Sequence, residues 1–338
     1  MKTALLLAGM IILAGSSWLV MFLFRPFLDY PASAELNCLR PEAGRFEPLG
    51  KPAVVYGLGL SYAGHIAESP GLYEPGIPPP VFRKRDHTVN RSETIPYPTR
   101  DDLIEAAGNV DPENAAALKE TGGEIPPLLD YEVEIGLAVI EPISADALEE
   151  DTFAPPVGFF VANDITARML IAMAPSNATL VNHLAEGKGL RGFLPVGEKV
   201  WIPDRFEPNA WACVELVTEV NGEVRQNASS RDIILGPREI LRTVARRFGL
   251  PGFQPGDWVI TGTPPGVALQ TPGWIQRGML LLNPPAEAKM EAMGDAATEG
   301  GFLQPGDEVV VRAGFLGEKK SRVLAPVKPQ KASPPDAR

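Results

Sequence analysis

The sequence predicts a mixed α+β domain, rich in β-strands and poor in helices, preceded by one N-terminal transmembrane helix. A long uncharged apolar run lies at the start of the chain, which predicts the membrane helix. The remainder alternates short apolar segments with clusters of Pro, Gly, Asn and Asp, as is typical of strands joined by turns. Glycine and proline number 33 and 35 among 338 residues, and this proline excess favours many turns and few long helices.

The composition excludes two broad classes of protein. Hydrophobic residues make up 45% and charged residues 22% of the chain, close to globular averages, so a wholly disordered chain is excluded. The formal net charge is −11, from 31 basic and 42 acidic residues, which lacks the basic excess that nucleic-acid binding requires. Two cysteines are too few for a disulfide framework, and no Cys/His spacing resembles a zinc site.

The N-terminal run extends from Thr3 to Phe24, which is 22 residues without a charge, between Lys2 and Arg25. As a helix it would span roughly 33 Å, enough to cross a bilayer. We therefore expect residues 1–25 to anchor the chain in a membrane. A signal peptide is the alternative, because Ala32-Ser33-Ala34 has the form of a cleavage site, but the apolar run is longer than a signal peptide normally has.

Charges beside the apolar run predict its orientation. The α-amine and Lys2 outweigh Arg25, which has Asp29 close behind it, so the positive-inside rule favours a cytoplasmic N-terminus and an extracytoplasmic domain. Residues 26–50 are proline-rich and are predicted to be a linker. Residues 51–325 are predicted to be the main folded domain, and residues 326–338 a disordered tail.

The domain is expected to contain short strands with few helices. The best predicted helix is Pro237 to Phe248, which opens with proline and closes at Gly249. Asn221-Gly222 predicts a two-residue hairpin turn. Residues 99–126 and 271–303 are predicted to be two longer segments with short helical patches, here called excursions. The clearest predicted strands are Glu132 to Ile140, Gly158 to Asn163, Ala212 to Val220 and Trp258 to Thr261.

Two acids in the first predicted strand suggest a metal site. Glu132 and Glu134 are two residues apart and so face the same side of a strand, together with the small residues Gly136 and Ala138. Neighbouring carboxylates with space beside them suit a hard cation. The alternative is a solvated acidic face on an edge strand.

Asp164 follows the next apolar strand directly. An unpaired charge at the end of a buried strand is costly, which favours a functional role over packing. With Glu132 and Glu134 it would complete three oxygen ligands for Mg²⁺ or Mn²⁺. The alternative is that Asp164 caps the following turn.

Two further segments carry candidate chemistry. His65 and Glu68 are three residues apart, so one helical turn brings them together as a water-activating pair; the alternative is an ordinary surface pair. Residues 257–266 run from a strand into a small polar turn, whose N–H and hydroxyl groups suit a carboxylate or an oxyanion; the alternative is a plain β-turn.

These segments, in this order, resemble the fumarylacetoacetate hydrolase family from about Val54 to Val323. The family pattern Gly-Leu-Asn-Tyr-x-x-His-x-x-Glu resembles residues 59–68. Four more patterns follow collinearly: Tyr-Glu-x-Glu at 131–134, Asn-Asp-x-x-Ala-Arg at 163–168, Asn-Gly-Glu-x-x-Gln at 221–226 and Gly-Asp-x-Ile-x-Thr-Gly-Thr-Pro at 256–264. The family's Lys-Gly-Phe-x-x-Phe-x-Pro also fits residues 188–195, with leucine for the first phenylalanine.

The resemblance implies a mixed β-roll that is usually dimeric, acts on a small carboxylic acid and binds Mg²⁺ or Mn²⁺. It implies that Lys188 neutralises charge developing on substrate oxygens, and that the segment holding His65 and Glu68 orders when substrate binds. The other implied roles are metal binding by Glu132, Glu134 and Asp164, and substrate contact by Arg168, Thr263 and Gln226.

The chain also departs from the family pattern. Ser61 replaces the usual asparagine, while Met169 and Ile171 stand where many members have aspartate and a substrate-facing glutamine. The metal set is intact, whereas these departures indicate an altered substrate pocket. With the two excursions and the predicted membrane anchor, they indicate a divergent, membrane-anchored member of the family.

Three functions are consistent with these residues. The leading hypothesis is a metal-dependent hydrolase that cleaves a carbon–carbon bond in an acylpyruvate-like β-dicarbonyl acid. The second is a decarboxylase, isomerase or hydratase that uses the same metal site on an oxaloacetate-like acid. The third is a membrane-tethered binding protein without turnover.

Overall fold

A computed structural model describes residues 31–68, 78–120, 122–174, 177–269 and 300–326. The predicted anchor at 1–25, most of the excursion at 271–303 and nearly all of the predicted tail lie outside these ranges. Within the described ranges no helix has the length and apolar character needed to cross a bilayer. The anchor therefore stays a sequence prediction.

The described residues form twenty strands and six α-helices. The strands are β1 (Asn37–Cys38), β2 (Gly44–Pro48), β3 (Val55–Leu58), β4 (Val81–Lys84), β5 (Val89–Asn90), β6 (Thr94–Ile95), β7 (Leu129–Asp130), β8 (Val133–Val139), β9 (Ile143–Ser144), β10 (Val157–Asn163), β11 (Thr166–Ala167), β12 (Leu194–Pro195), β13 (Lys199–Pro203), β14 (Ala210–Trp211), β15 (Glu215–Val220), β16 (Glu223–Ser229), β17 (Gly252–Phe253), β18 (Trp258–Ile260), β19 (Glu308–Ala313) and β20 (Glu318–Val323). The helices are α1 (Ala63–Glu68), α2 (Arg100–Val110), α3 (Pro112–Glu120), α4 (Arg168–Ala172), α5 (Asn177–Gly187) and α6 (Pro237–Phe248).

Two sheets enclose the main core. One has seven strands in the order β2-β13-β10-β8-β18-β3-β4, and the other has five in the order β16-β15-β19-β20-β6. Alternate residues of β8, such as Ile135 and Leu137, share a buried cluster with Leu216 and Val311 of the smaller sheet. The expected β-rich architecture with few helices is confirmed for the described residues.

Strand β8 lies inside the larger sheet, between β10 and β18. All seven of its residues are buried, so the alternative of a solvated acidic edge strand is wrong. The space predicted beside the small residues is also filled: a Cβ added to Gly136 would lie 2.1 Å from the ring of Phe160. Gly136 therefore makes room for packing rather than for a ligand.

The local signals for α6 and for one hairpin are confirmed. Helix α6 has the predicted limits, with proline in its first turn and Gly249 in a left-handed conformation at φ 61°. Asn221 and Gly222 join β15 to β16 with φ values of 53° and 82°. Positive φ at both positions matches the twist of a tight hairpin.

The prediction that residues 26–50 form a linker is wrong for the described part of this segment, which belongs to the domain. Strand β1 pairs with β14, and β2 forms the edge of the seven-stranded sheet beside β13. Leu36 and Leu39 pack against the main core. The two cysteines, Cys38 and Cys213, form a disulfide across a sequence separation of 175 residues, with their Cα atoms 5.3 Å apart.

The excursion at 99–126 contains the helical hairpin α2–α3. A capping box begins α2: the Thr99 hydroxyl accepts from the Asp102 N–H, and the Asp102 carboxylate accepts from the Thr99 N–H. Apolar residues of the hairpin, including Leu103 and Leu118, share a second buried cluster with Met169 of α4. The hairpin therefore packs against α4 in this cluster.

Candidate metal centre

The three predicted metal ligands meet where β8 begins and β10 ends. These strands are antiparallel, and Val133 pairs with Asn163. Glu132 therefore lies beside Asp164, whose N–H donates to the Glu132 carbonyl at 2.9 Å. One oxygen from each of Glu132, Glu134 and Asp164 lies within 4.8 Å of the others, and all three residues are buried. This donor set fits a divalent cation that prefers oxygen ligands.

Three buried cations surround these acids. Lys188, just after α5, places Nζ 2.7 Å from Glu132 Oε2 and 2.9 Å from Asp164 Oδ2. Lys84, at the end of β4, contacts the other oxygen of Asp164. Arg168 approaches the second oxygen of Glu132, with Nη2 2.8 Å from Oε1. Glu132 and Asp164 therefore each face two cations.

The surroundings of Glu132 and Glu134 shift their pKa values in opposite directions. Burial tends to raise the pKa of Glu132, but Lys188 and Arg168 outweigh burial and hold that pKa at about 2. Burial and the neighbouring charge of Asp164 raise the pKa of Glu134 well above its usual range. Its carboxylate accepts a hydrogen bond from the Gly262 N–H at 2.7 Å. Glu134 is thus the acid that a bound cation would stabilise most.

The predicted pair His65 and Glu68 lies on α1. His65 Nδ1 is 3.6 Å from Glu68 Oε2, and the Gly266 N–H donates to both Glu68 oxygens at 2.8 and 3.0 Å. His65 is only 6% exposed, which differs from an ordinary surface pair. The N–H groups of Gly262 and Gly266, four residues apart in one loop, bond to Glu134 and to Glu68, so the pair and the acid cluster lie against the same loop.

The residues predicted to contact substrate make internal contacts. The Thr263 hydroxyl donates to the Val133 carbonyl at 3.0 Å and accepts from Gln226 Nε2 at 2.9 Å. Arg168 Nε donates to Asp130 at 2.8 Å. Substrate contact by Thr263, Gln226 and Arg168 stays a prediction, and it would have to compete with these bonds.

Sequence reasoning missed Lys84, Asp130 and Thr166. Thr166 Oγ1 donates to Glu132 at 3.1 Å and accepts from Lys188 at 2.8 Å. Asp130 accepts from Arg168 and from the N–H groups of residues 268 and 269. Asp130 stands next to the recognised acidic strand, which is a usable signal. Lys84 follows Arg83 and precedes Arg85, and nothing in that basic run marks the buried member.

The departures from the family pattern have separate structural consequences. Ser61 contacts the carbonyl of Thr261 through its hydroxyl. Met169 is fully buried in the cluster with the helical hairpin, where an ionised aspartate would lack water. Ile171 lies against Gly187, whose added Cβ would be 3.3 Å from it, one residue before Lys188. Met169 therefore accommodates the hairpin, while Ile171 packs against the last turn of α5, which precedes Lys188.

Comparison with known structures finds the same fold in characterised enzymes. Fumarylpyruvate hydrolase from Pseudomonas aeruginosa, in complex with Mn²⁺ and pyruvate, is 21% identical with a TM-score of 0.51, covering 85% of this chain and 99% of that one. Fumarylacetoacetate hydrolase from the psychrophile Exiguobacterium antarcticum is 25% identical with a TM-score of 0.50, covering 82% and 77%.

Two related proteins match this chain over about half of their own length. An uncharacterized protein of Staphylococcus epidermidis is 30% identical over 56% of this chain and 50% of its own. A 4-hydroxyphenylacetate degradation bifunctional isomerase/decarboxylase of Salmonella dublin is 26% identical over 73% of this chain and 49% of its own. The chain spans about half the length of these two proteins.

The model of one family covers most of the chain. The family described as fumarylacetoacetate (FAA) hydrolase C-terminal matches residues 54–324, which include the acid cluster and the His65–Glu68 pair. Proteins of this kind include hydrolases, isomerases and decarboxylases acting on organic acids. With the β-rich fold, the three clustered carboxylates and this match, the chain belongs to the fumarylacetoacetate hydrolase family.

Proposed function

We propose that the protein is a divalent-metal-dependent hydrolase that cleaves a carbon–carbon bond in an acylpyruvate-like β-dicarbonyl acid. The observation that carries this proposal is that one loop bonds both to the buried imidazole–carboxylate pair and to the acid cluster, through the Gly266 N–H to Glu68 and the Gly262 N–H to Glu134. A metal site serves many reactions of organic acids, but a water-activating base beside it is what hydrolysis requires.

Glu132, Glu134 and Asp164 would hold the cation. Bound there, Mg²⁺ or Mn²⁺ supplies Lewis-acid stabilisation of the enolate oxygen that gains charge as the bond breaks. The Mn²⁺ complex of fumarylpyruvate hydrolase, on the same fold, supports this assignment. Lys188 adds a fixed positive charge beside Glu132 and Asp164 for the substrate's carboxylate oxygens.

His65 would act as the base. Glu68 faces Nδ1, so the second ring nitrogen, Nε2, takes a proton from water while the hydroxide adds to the acyl carbonyl carbon. The bond between that carbon and the neighbouring methylene carbon then breaks, and its electron pair becomes the enolate. His65 returns its proton to the enolate carbon, which leaves one carboxylic acid and one pyruvate-type acid. Glu68 stabilises the intermediate imidazolium.

Turnover of acylpyruvates by two variants tests the proposal. Glu134→Gln removes a charged ligand, and His65→Gln removes the base; each is expected to lower kcat/KM by roughly 10²–10⁴-fold. Glu141→Gln, an exposed acid beyond the same strand, is the matched control and should retain wild-type turnover. Wild-type activity in either site variant would overturn the mechanism.

A second reaction class is favoured by one comparison. The Salmonella dublin relative is named an isomerase/decarboxylase, and the same enolate stabilisation serves decarboxylation, isomerisation or hydration of an oxaloacetate-like acid. Product analysis separates these reactions: hydrolysis yields two acids, decarboxylation releases CO₂, and isomerisation conserves mass. Metal-dependent binding of such acids without any product would favour the tethered binding protein.

We also propose that residues 1–25 anchor the protein in a membrane with its domain on an oxidising side. The Cys38–Cys213 disulfide supports this location, because disulfides persist mainly in oxidising compartments. Maleimide labelling of the protein in intact cells, before and after reduction, is the test. The proposal expects labelling only after reduction; two free thiols in unreduced cells would contradict it.

A further inference from the structure

The loop formed by residues 261–269, here called the acid-binding loop, bonds to three carboxylates through its main chain. The Gly262 N–H donates to Glu134, and the Gly266 N–H donates to Glu68. The N–H groups of residues 268 and 269 donate to Asp130 at 2.8 and 3.3 Å. Main-chain donors of one short loop therefore connect a candidate metal ligand, the partner of the candidate base and the acid that orients Arg168.

Gln226 on β16 holds this loop in place. Its side chain is fully buried, and Nε2 donates to Thr263 Oγ1 at 2.9 Å and to the Pro264 carbonyl at 3.0 Å. Oε1 accepts from the Val133 N–H at 3.1 Å and from Thr218 Oγ1 at 2.7 Å. Gln226 thus ties the middle of the loop to the first residue of β8, between the acids Glu132 and Glu134.

The neighbours of Gln226 determine how its amide is oriented. The Val133 N–H can only donate, so it requires the amide oxygen, while the Pro264 carbonyl can only accept, so it requires the amide nitrogen. Both amide hydrogens and both oxygen lone pairs are used. A substrate bonding to Gln226 would break one of these bonds and leave a buried polar group unpaired.

The main chain of the loop also packs closely against the main chain of β16. Gly266 has φ +102°, and an added Cβ would lie 2.5 Å from the carbonyl oxygen of Arg225. The two contacts from Gln226 and this close approach fix the loop on the same strand.

Resting on the proposed function, we propose that Gln226 is a positioning residue rather than a substrate contact: it sets the acid-binding loop so that its N–H groups hold Glu134, Glu68 and Asp130. Groups that orient metal ligands in this way commonly change metal affinity by 10–100-fold when they are lost.

Two variants of the full-length chain separate positioning from packing. Gln226→Met keeps the approximate length of the side chain but removes both donors to the loop. Thr218→Val, the matched control, removes a bond to the same amide oxygen and leaves the loop contacts intact. Amide hydrogen exchange of residues 261–269 and the Kd for Mn²⁺ are measured for each.

We expect Gln226→Met to speed exchange across the loop at least tenfold and to weaken Mn²⁺ binding by about 10–100-fold. Thr218→Val should leave both within about threefold of wild type. Gln226→Glu, which retains the acceptors toward Val133 and Thr218 but not both donors, should speed exchange as well. Unchanged exchange in the Gln226 variants, or equal effects from Thr218→Val, would overturn the inference. If wild type binds no Mn²⁺, the proposed function fails while exchange still decides the role of Gln226.

Discussion

Glu134 has the least compensated charge in the acid cluster. Glu132 and Asp164 each face two side-chain cations, whereas the Glu134 carboxylate accepts a hydrogen bond from the main-chain N–H of Gly262. Burial and the charge of Asp164 therefore raise the pKa of Glu134 well above its usual range. An acid with a raised pKa destabilises the folded state as pH rises from its unfolded pKa through its folded pKa.

We therefore predict that Glu134→Gln stabilises the metal-free protein at pH values above the ordinary glutamate pKa and abolishes tight Mn²⁺ binding. The free energy of unfolding of the metal-free wild type should fall as pH rises above about 4.5, and the variant should lack this fall. Denaturant unfolding in a chelator from pH 4 to 8 measures both. A variant less stable than wild type at neutral pH would contradict the electrostatic account.

Removing Lys84 should have the opposite effect on metal affinity to removing Glu134. Burial lowers the pKa of Lys84, and the neighbouring charge of Asp164 opposes that change. In its protonated form Lys84 contacts Asp164 and so competes with a bound cation for that carboxylate. Lys84→Met should tighten Mn²⁺ binding roughly tenfold, a change of about 1.4 kcal/mol. The exposed neighbour Arg83→Met is the control and should leave affinity unchanged. Isothermal titration calorimetry measures the Mn²⁺ affinity of each variant. Weaker binding by Lys84→Met would mean that this lysine favours metal binding instead.

The acids were predictable from the sequence, whereas Lys84 and the surroundings of Gln226 were not. Period-two alternation places Glu132 and Glu134 on one face of a strand without any knowledge of the fold. The proximity of Asp164 needs only the antiparallel pairing of neighbouring strands. Lys84 and Gln226 reach the site from β4 and β16, in different sheets, and their contacts depend on packing that local sequence does not encode.

At the scale of elements, the hairpin α2–α3 explains why Met169 departs from the family's aspartate. The hairpin and α4 form one apolar cluster, and Met169 is fully buried in it. Restoring the aspartate should therefore destabilise the fold by about 3 kcal/mol or more, because a buried charge would have no partner there. Met169→Leu should cost less than about 1.5 kcal/mol.

Equilibrium unfolding of the two Met169 variants measures the difference. Equal stability of Met169→Asp and wild type would mean that the aspartate finds water or a cation, and that the hairpin does not exclude it. The same comparison tests whether the excursion at 99–126 is a structural part of the domain.

Elements with strong local signals were predicted with their limits, and those without were missed. Helix α6 carries proline at its start and glycine at its end, so its limits follow from the sequence. Strands β1 and β2 have little apolar alternation, and proline-rich composition alone suggested a linker. Their position depends on pairing with β14 and β13, about 160 residues away along the chain.

For the whole molecule, the disulfide fixes the N-terminal segment to the domain. It closes a loop of 175 residues between β1 and the segment after β14. The variant Cys38→Ser/Cys213→Ser should lose about 2–5 kcal/mol of unfolding free energy. Dithiothreitol should destabilise wild type by a similar amount and leave the double variant unaffected. Equal stability of reduced and oxidised wild type would contradict a structural role for this bond.

The same bond was not foreseen, because two cysteines far apart in sequence specify no pairing. The fold of residues 54–324, by contrast, follows from several collinear patterns that no single strand would identify. The anchor at 1–25 lies outside the described residues and remains a prediction from hydropathy and charge.

In the proposed mechanism, metal and base act together on a carbon–carbon bond. The most direct measurement is product analysis of an acylpyruvate incubated with the full-length protein, with Mn²⁺ and with chelator, for wild type and His65→Gln. We expect that wild type with Mn²⁺ forms two carboxylic acids, one of them of pyruvate type, and that chelator or His65→Gln suppresses both. Equal product formation by His65→Gln, or CO₂ release in place of a second acid, would contradict it.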